Sequence, residues 1–213
     1  MPSKVLTLNV NKKEIIAKGI IPKGMDSLVV DQMQFRLTKG ALEKKDLAFL
    51  DVLATNNWER PMYLNHTSKS QLNVDVDDYV VLEGNAYRIL PIRKANPDKD
   101  LVNTDVAYDN MINKFQYRGL DNPKLYYTED YKGFVQNHRS SLNALATSLI
   151  DKGDLDKARK VLLFSLEKMP DKGIAFDHTA VEMVDLLFKV GEKEKAMEIA
   201  TLLGNSLVRH FFQ

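Results

Sequence analysis

The residues best suited to hold a polar ligand lie in two short stretches, TNNWERPMYL (55–64) and EGNAYR (83–88). They combine the only tryptophan of the chain with tyrosines, guanidinium groups, amides and carboxylates. Aromatic rings stack against the apolar faces of sugars, and the polar groups can hydrogen-bond to hydroxyls or peptide groups. The candidate binding residues are Asn57, Trp58, Arg60, Tyr63, Glu83, Tyr87 and Arg88.

The same residue types also suit a structural corner or a domain interface, where a ring is buried and its polar tip is hydrogen-bonded. In an extended chain Trp58 and Arg60 share a face, which lets the guanidinium lie along the indole. Asn56 and Asn57 are expected to end a helix that Pro61 cannot continue. For Trp58 a structural corner is the favoured interpretation, and a sugar- or peptide-contacting edge is the alternative.

No arrangement of residues in the sequence predicts catalysis, a metal site or a cofactor. The absence of cysteine excludes thiolate nucleophiles, disulfides and cysteine-ligated zinc. The four histidines are scattered, and the acidic stretch from Asp75 to Glu83 lacks the glycine and the distal glutamate of a calcium loop. Neither a Gly-x-Ser-x-Gly elbow nor a glycine-rich phosphate loop is present. We therefore expect no catalytic residue, no metal ligand and no cofactor.

Composition is that of an ordinary globular protein. A length of 213 residues suits one large domain or two small ones. The net charge of +1 gives no electrostatic reason to expect nucleic acid or an anionic membrane surface as partner. No apolar run exceeds four residues, far short of a bilayer span. The opening Met-Pro-Ser-Lys leads at once into a strand-like run, which fits a fragment of a longer protein as well as a native start.

The elements that must position the candidate residues form a small mixed α/β domain, predicted over residues 1–125. Alternation predicts strands, and spacing at three and four residues predicts helices. The predicted strands are 5–10, 14–21, about 33–37, 62–64 and 86–92, and the predicted helices are about 45–55, 77–83 and 104–117.

The second predicted domain, residues 126–213, is helical and contains a repeat. DKGDLDKA (151–158) matches KVGEKEKA (189–196), with Gly153 and Gly191 38 residues apart. An apolar stripe precedes and follows each glycine, which predicts two helical hairpins. The pattern resembles the tetratricopeptide repeat, whose period is about 34 residues, with Ala146, Ala158 and Pro170 at its characteristic places. In the second repeat the stripe before the glycine is predicted to be Val181, Val184, Leu187 and Phe188. The predicted fold class is α+β.

Several motifs in order resemble the tail of a known family. They are LDVLATNNWERPMY (50–63), LEGNAYRILPI (82–92), YDN (108–110) and GLDNP (119–123). Together they resemble the soluble C-terminal tail of a Bacteroidetes membrane-protein family that carries domain of unknown function 2723 and is similar to protein O-mannosyltransferases. Asn85 departs from the pattern, which favours an apolar residue there. The resemblance implies that the catalytic groups lie in a membrane-embedded region outside this chain.

On this reading the chain is a non-catalytic accessory module of a membrane glycosyltransferase-like protein, on the periplasmic face of the bacterial inner membrane. Its expected partners are its own membrane-embedded region and an acceptor polypeptide or glycan, with no nucleic acid. Tetratricopeptide-like helices offer a concave face to peptides. Two alternatives remain open: a stand-alone small carbohydrate-active enzyme, and a purely structural domain packed on the membrane region.

Overall fold

A computed structural model describes residues 4–211, and in its last helix it describes side chains up to residue 205. The chain divides into two compact units, Met1–Asn103 and Thr104–Gln213. Helices account for 51% and strands for 11%, so the predicted α+β class is confirmed. None of the helices described here has the length and apolarity needed to cross a bilayer.

The first unit contains two small antiparallel sheets and three short helices. Its elements are β1 (Val5–Asn9), α1 (Lys12–Ala17), β2 (Gln32–Arg36), α2 (Lys44–Thr55), β3 (Tyr63–Leu64), α3 (His66–Gln71), β4 (Val80–Leu82) and β5 (Tyr87–Ile89). β1 pairs with β2 from Val5↔Arg36 to Asn9↔Gln32, and the second sheet has the order β3-β5-β4. Met33 and Phe35 of β2 are buried, as the alternating pattern predicted.

Two element predictions in this unit are wrong. Residues 14–21 do not form a strand, because the side chain of Asn11 accepts a hydrogen bond from the Glu14 N–H and starts helix α1. Residues 77–83 do not form a helix. A 3-10 turn at Asp77–Tyr79 leads into β4, where the β-branched residues Val80 and Val81 are buried within a sheet.

Helix α2 is fixed to the rest of the unit by a buried carboxylate. Asp46 accepts hydrogen bonds from the backbone N–H groups of Glu43, at 2.8 Å, and Asn73, at 2.9 Å. Burial alone raises the pKa of Asp46, but these two donors outweigh it and hold the pKa below its usual value. The ionised carboxylate therefore joins the first turn of α2 to the chain that follows α3.

The second unit is helical and begins earlier than predicted. It contains α4 (Thr104–Tyr108), which continues into a π-helical turn (Asp109–Lys114), and the long helices α5 (Glu129–Asp151), α6 (Leu155–Lys168), α7 (His178–Lys189) and α8 (Lys193–Phe211). The boundary was expected near residue 125, but α4 packs on α5, and Lys152 Nζ donates to Thr104 Oγ1 at 2.8 Å. Segment 104–125 thus belongs to the helical unit.

The two predicted helical hairpins are present. Gly153 and Gly191 lie in the turns with φ of +81° and +85°, a conformation that favours glycine. Ala158 and Ala196 are fully buried in the second helix of each hairpin. The helix–turn–helix arrangement is therefore confirmed, while its membership of the tetratricopeptide class stays a prediction.

The apolar stripe predicted for α7 is partly wrong. Leu187 is buried, but Val181 and Phe188 are 63% and 41% exposed. The buried face consists instead of Ala180, Met183, Leu186 and Leu187. The helix is therefore rotated so that part of its apolar surface faces solvent.

A buried arginine organises the loop between the hairpins. The guanidinium of Arg139, on α5, donates four hydrogen bonds: to the carbonyls of Met169 (3.0 Å), Ile174 (2.6 Å) and Ala175 (3.0 Å), and to Asp177 Oδ2 (3.2 Å). Burial lowers the pKa of Arg139, while the charge of Asp177 opposes that effect. The side chain of Asp177 also accepts from the Thr179 N–H and caps α7. Arg139 thus sets where the second hairpin begins.

Candidate functional site

The predicted binding residues fall into two groups in the first unit. Tyr63, Glu83 and Arg88 meet on the three-stranded sheet, and Asn57, Trp58 and Arg60 form the corner after α2. Tyr87 is separate from both, because its side chain is buried.

Sheet pairing brings the first group together. Tyr63 on β3 lies opposite Arg88 on β5 in the antiparallel register. Glu83 follows β4 in the turn to β5, where Gly84 has a φ of +116° and the Glu83 N–H donates to the Ala86 carbonyl at 3.0 Å. Strand order therefore places a phenol, a carboxylate and a guanidinium side by side.

Glu83 is the centre of this sheet cluster, which we define as Tyr63, Glu83, Arg88 and Asn103. Its carboxylate accepts from the Tyr63 hydroxyl at 2.7 Å and from Asn103 Nδ2 at 2.8 Å, and Arg88 Nη1 lies 3.5 Å away. Glu83 is only 6% exposed. The pKa of Tyr63 is raised, mainly by partial burial and to a lesser extent by the hydrogen bond to this carboxylate. A buried carboxylate with these donors is a fixed acceptor that ties the ends of three segments together.

Asn103 was not among the predicted site residues. The sequence marked it only as a possible helix cap, and a single asparagine carries no signal for a partner 20 residues earlier in the chain. Its pairing with Glu83 follows from a parallel bridge between Leu82 and Val102, which brings the two segments alongside each other.

The outward side of the sheet cluster offers an aromatic ring and part of a guanidinium. Tyr63 is 48% exposed, although its hydroxyl is committed to Glu83. One-fifth of the Arg88 side chain is exposed, and its buried Nε has no hydrogen-bond partner among the described residues. The cluster therefore presents a surface that is suited to contact a ligand.

Tyr87 belongs to the interior of the first unit. Its ring meets His66 edge to face, with centroids 5.0 Å apart, and Lys69 Nζ lies 4.6 Å from the ring centre. Lys69 also pairs with Asp77 at 2.6 Å. Burial raises the pKa of Tyr87 well above its usual value. These contacts show that the Tyr87 side chain is packed inside the first unit.

The corner residues adopt a turn rather than the expected extended chain. Asn57 and Trp58 have φ of +46° and +59°, in the left-handed region. The Asn56 side chain spans the turn, donating to the Arg60 carbonyl at 2.7 Å and accepting from its N–H at 3.3 Å. Lys18 Nζ donates to the Asn57 carbonyl at 2.6 Å. The prediction that Trp58 and Arg60 share a face of an extended chain is therefore wrong, because two consecutive left-handed residues reverse the chain.

The second unit contributes a different surface. Val181, Asp185 and Phe188 follow one another along the exposed side of α7, opposite its buried residues. We call this the α7 face. Spacing of four and then three residues aligns these side chains along one stripe of the helix. Exposed apolar groups at such spacing are a common feature of protein-binding helices.

Comparison with known families concerns the first unit. Residues 1–106 match the family described as TMEM260-associated domain 2. This is a membrane-protein-associated family, and the match includes both the sheet cluster and the corner. Neither the comparison with curated proteins nor that with solved structures found a match.

Proposed function

We propose that the chain is a non-catalytic accessory module of a membrane glycosyltransferase-like protein of the type that carries domain of unknown function 2723. It works on the periplasmic face of the bacterial inner membrane, beside the membrane-embedded region of the same protein. There its helical unit holds an acceptor polypeptide. The family match of residues 1–106 supports the membrane-protein context.

The α7 face is the observation that carries the polypeptide-binding part. Val181 and Phe188 expose apolar surface that folding of the described chain leaves in water. Burial of such side chains by a partner is favourable at about 25 cal/mol per Å² of apolar surface. Asp185, between them, pairs with Lys189 through Oδ2 at 2.6 Å, and its Oδ1 can accept a hydrogen bond from a backbone N–H group of an extended peptide.

Binding is tested with a permanently unfolded, carboxymethylated polypeptide as probe, by fluorescence polarisation. Replacing Val181 and Phe188 by serine is expected to weaken binding at least about tenfold, because two apolar contacts are lost. The matched control replaces Leu155 and Met197 by serine as well, because these side chains are exposed on the second helices of the hairpins. Equal loss of binding in both double variants contradicts a specific role for the α7 face.

The non-catalytic part has its own test. The purified chain is incubated with a polyprenyl-phosphate-linked mannose and acceptor peptides, and we expect no transfer and no release of sugar. Measurable turnover supports the alternative of a small carbohydrate-active enzyme. Absence of polypeptide binding, together with crosslinking of this chain to the membrane region, supports the purely structural alternative.

A glycan is the second candidate ligand, and the sheet cluster is the surface that favours it. The exposed ring of Tyr63 beside Arg88 matches the stacking and hydrogen-bonding needs of a sugar. The test is a titration with an oligomannoside, monitored by the NMR shifts of the Arg88 side chain. Shifts at Arg88 distinguish glycan binding at the sheet cluster from polypeptide binding on α7.

A further inference from the structure

A cleft lies between the second helices of the two hairpins. It has a volume of about 340 Å³, and α6, the inter-hairpin loop and α8 form its walls. Its apolar lining consists of Leu166, Pro170, Phe176, Ile199 and Leu202. This volume lies at the lower end of the range for small-ligand pockets.

The cleft is a consequence of the long repeat period. A period of 38 residues exceeds that of the tetratricopeptide repeat by about four, and the extra residues lie in the loop after Pro170. Arg139 holds this loop from inside by its bonds to the Met169, Ile174 and Ala175 carbonyls. From the other side Gly173 abuts the Leu120 carbonyl so closely that a Cβ would lie 2.3 Å from its oxygen. The loop is thus held on two sides, and the cleft wall is preformed.

The four charged residues that line the cleft, Asp171, Lys172, Lys195 and Glu198, sum to zero, but they differ in their partners. Glu198 pairs with Lys195 at 2.8 Å. Asp171 accepts the Phe176 N–H at 2.7 Å, and its charge interacts favourably with that of the buried Arg139. Lys172 lines the cleft, is exposed, and makes no ion pair with a described residue. An occupant with an apolar body and one carboxylate matches the apolar lining and gives Lys172 a partner.

We propose that this cleft binds a polypeptide segment in which a large apolar residue is followed by an acidic one. The apolar side chain enters between Leu166 and Ile199, and the carboxylate pairs with Lys172. The volume accommodates one or two side chains, which favours a peptide over the long acyl chain of a lipid.

This inference rests on the proposed function, since it names the chemistry of a bound polypeptide, but it uses α6 and α8 rather than the α7 face. The probe is the blocked peptide acetyl-Gly-Ser-Phe-Asp-Ser-Gly-amide, titrated into the full chain with labelled Leu, Ile and Val methyl groups. We expect saturable NMR shifts at Leu166, Ile199 and Leu202. Replacing Phe by Gly in the peptide is expected to weaken binding at least about tenfold.

The charge pairing is tested separately. Replacing Asp by Lys in the peptide, or Lys172→Glu in the protein, is expected to weaken binding about two- to fivefold, as for a solvent-exposed ion pair. Lys193→Glu is the matched control, because Lys193 is an exposed lysine of α8 outside the cleft lining. Leu202→Gln, at a partly exposed position that tolerates a polar residue, should also weaken binding while the fold is kept.

Each other outcome has a definite meaning. Equal affinity for the Asp and Lys peptides, or equal effects of Lys172→Glu and Lys193→Glu, overturns the charge complementarity. Occupation of the cleft by decyl phosphate but not by the peptide assigns it to a lipid instead. Shifts confined to Val181 and the rest of the α7 face overturn the cleft proposal and leave the proposed function standing. No shift at either place, together with no binding of the unfolded polypeptide, overturns both.

Discussion

Substitution of the buried Arg139 by methionine tests whether the inter-hairpin loop is held by hydrogen bonds or only by packing. The side chain is fully buried, so the change leaves three backbone carbonyls without their donor and Asp177 without its cation. Methionine fills most of the volume with an unbranched apolar chain, which separates the loss of hydrogen bonds from the creation of a cavity.

The expected magnitude follows from these contacts. Each lost hydrogen bond to a buried carbonyl costs about 1 kcal/mol, and the uncompensated carboxylate adds about 1–2 kcal/mol. The methionine variant no longer buries a charged guanidinium, whose desolvation costs several kcal/mol, and this offsets part of the loss. We therefore expect the free energy of unfolding to fall by about 2–4 kcal/mol.

Urea unfolding followed by far-ultraviolet circular dichroism is the suitable measurement, because most helices lie in the second unit. Fluorescence of Trp58, which lies in the first unit, gives an independent transition. A double-mutant cycle with Asp177→Asn, which retains an oxygen to cap α7, should show a coupling of about 1–2 kcal/mol. A loss below about 0.5 kcal/mol for Arg139→Met would refute the reasoning, because packing alone would then hold the loop.

Three further substitutions test other parts of the fold. Asp46→Asn should cost about 1–3 kcal/mol at neutral pH. Folding lowers the pKa of Asp46, so the contribution is present above the unfolded-state pKa and is lost as the pH falls through the lower, folded-state pKa. The stabilities of variant and wild type from urea unfolding should therefore converge only at pH values below the ordinary aspartate pKa. Trp58→Gly should be about 1 kcal/mol more stable than Trp58→Ala by thermal unfolding, since φ is +59° and alanine resists the left-handed region; equal stability would contradict the turn geometry. Ala158→Leu should lower stability by about 1–3 kcal/mol through overpacking, and an unchanged melting temperature would argue against close helix contact there.

The sequence predicted elements well where one local rule acted alone. Helix α2, strand β2 and the two hairpins follow from apolar spacing and from the turn glycines Gly153 and Gly191, which need no distant partner. It failed at residues 14–21, where two successive isoleucines fit a strand as well as a helix. There the Asn11 side chain accepts a capping hydrogen bond from the Glu14 N–H, which favours the helix.

Of the sheet cluster, the sequence indicated three candidate residues but not that their side chains meet. Tyr63, Glu83 and Arg88 were among the candidate residues, and sheet pairing brings them together, but Asn103 and Arg139 were not foreseen. Their partners lie 20 and up to 38 residues away in the chain, and pairing over such separations is set by tertiary packing. Trp58 was predicted in an extended chain because Pro61 favours extended geometry before it. The effect of a proline on the preceding residue does not predict the left-handed conformation of Asn57 and Trp58.

The error in the predicted apolar stripe of α7 bears on function, because two residues that were predicted to be buried are exposed. An apolar pattern in the sequence indicates which side chains are favourably buried, but it does not indicate which surface buries them. On α7 the described chain covers Met183 and Leu187 but leaves Val181 and Phe188 exposed, although all four fit helical amphipathicity. Such an excess of apolar positions lowers solubility and adds nothing to the stability of the hairpins themselves. It is accounted for if a second surface completes the face, and this is the reason to search for a polypeptide partner on α7 before any chemistry is sought in the first unit.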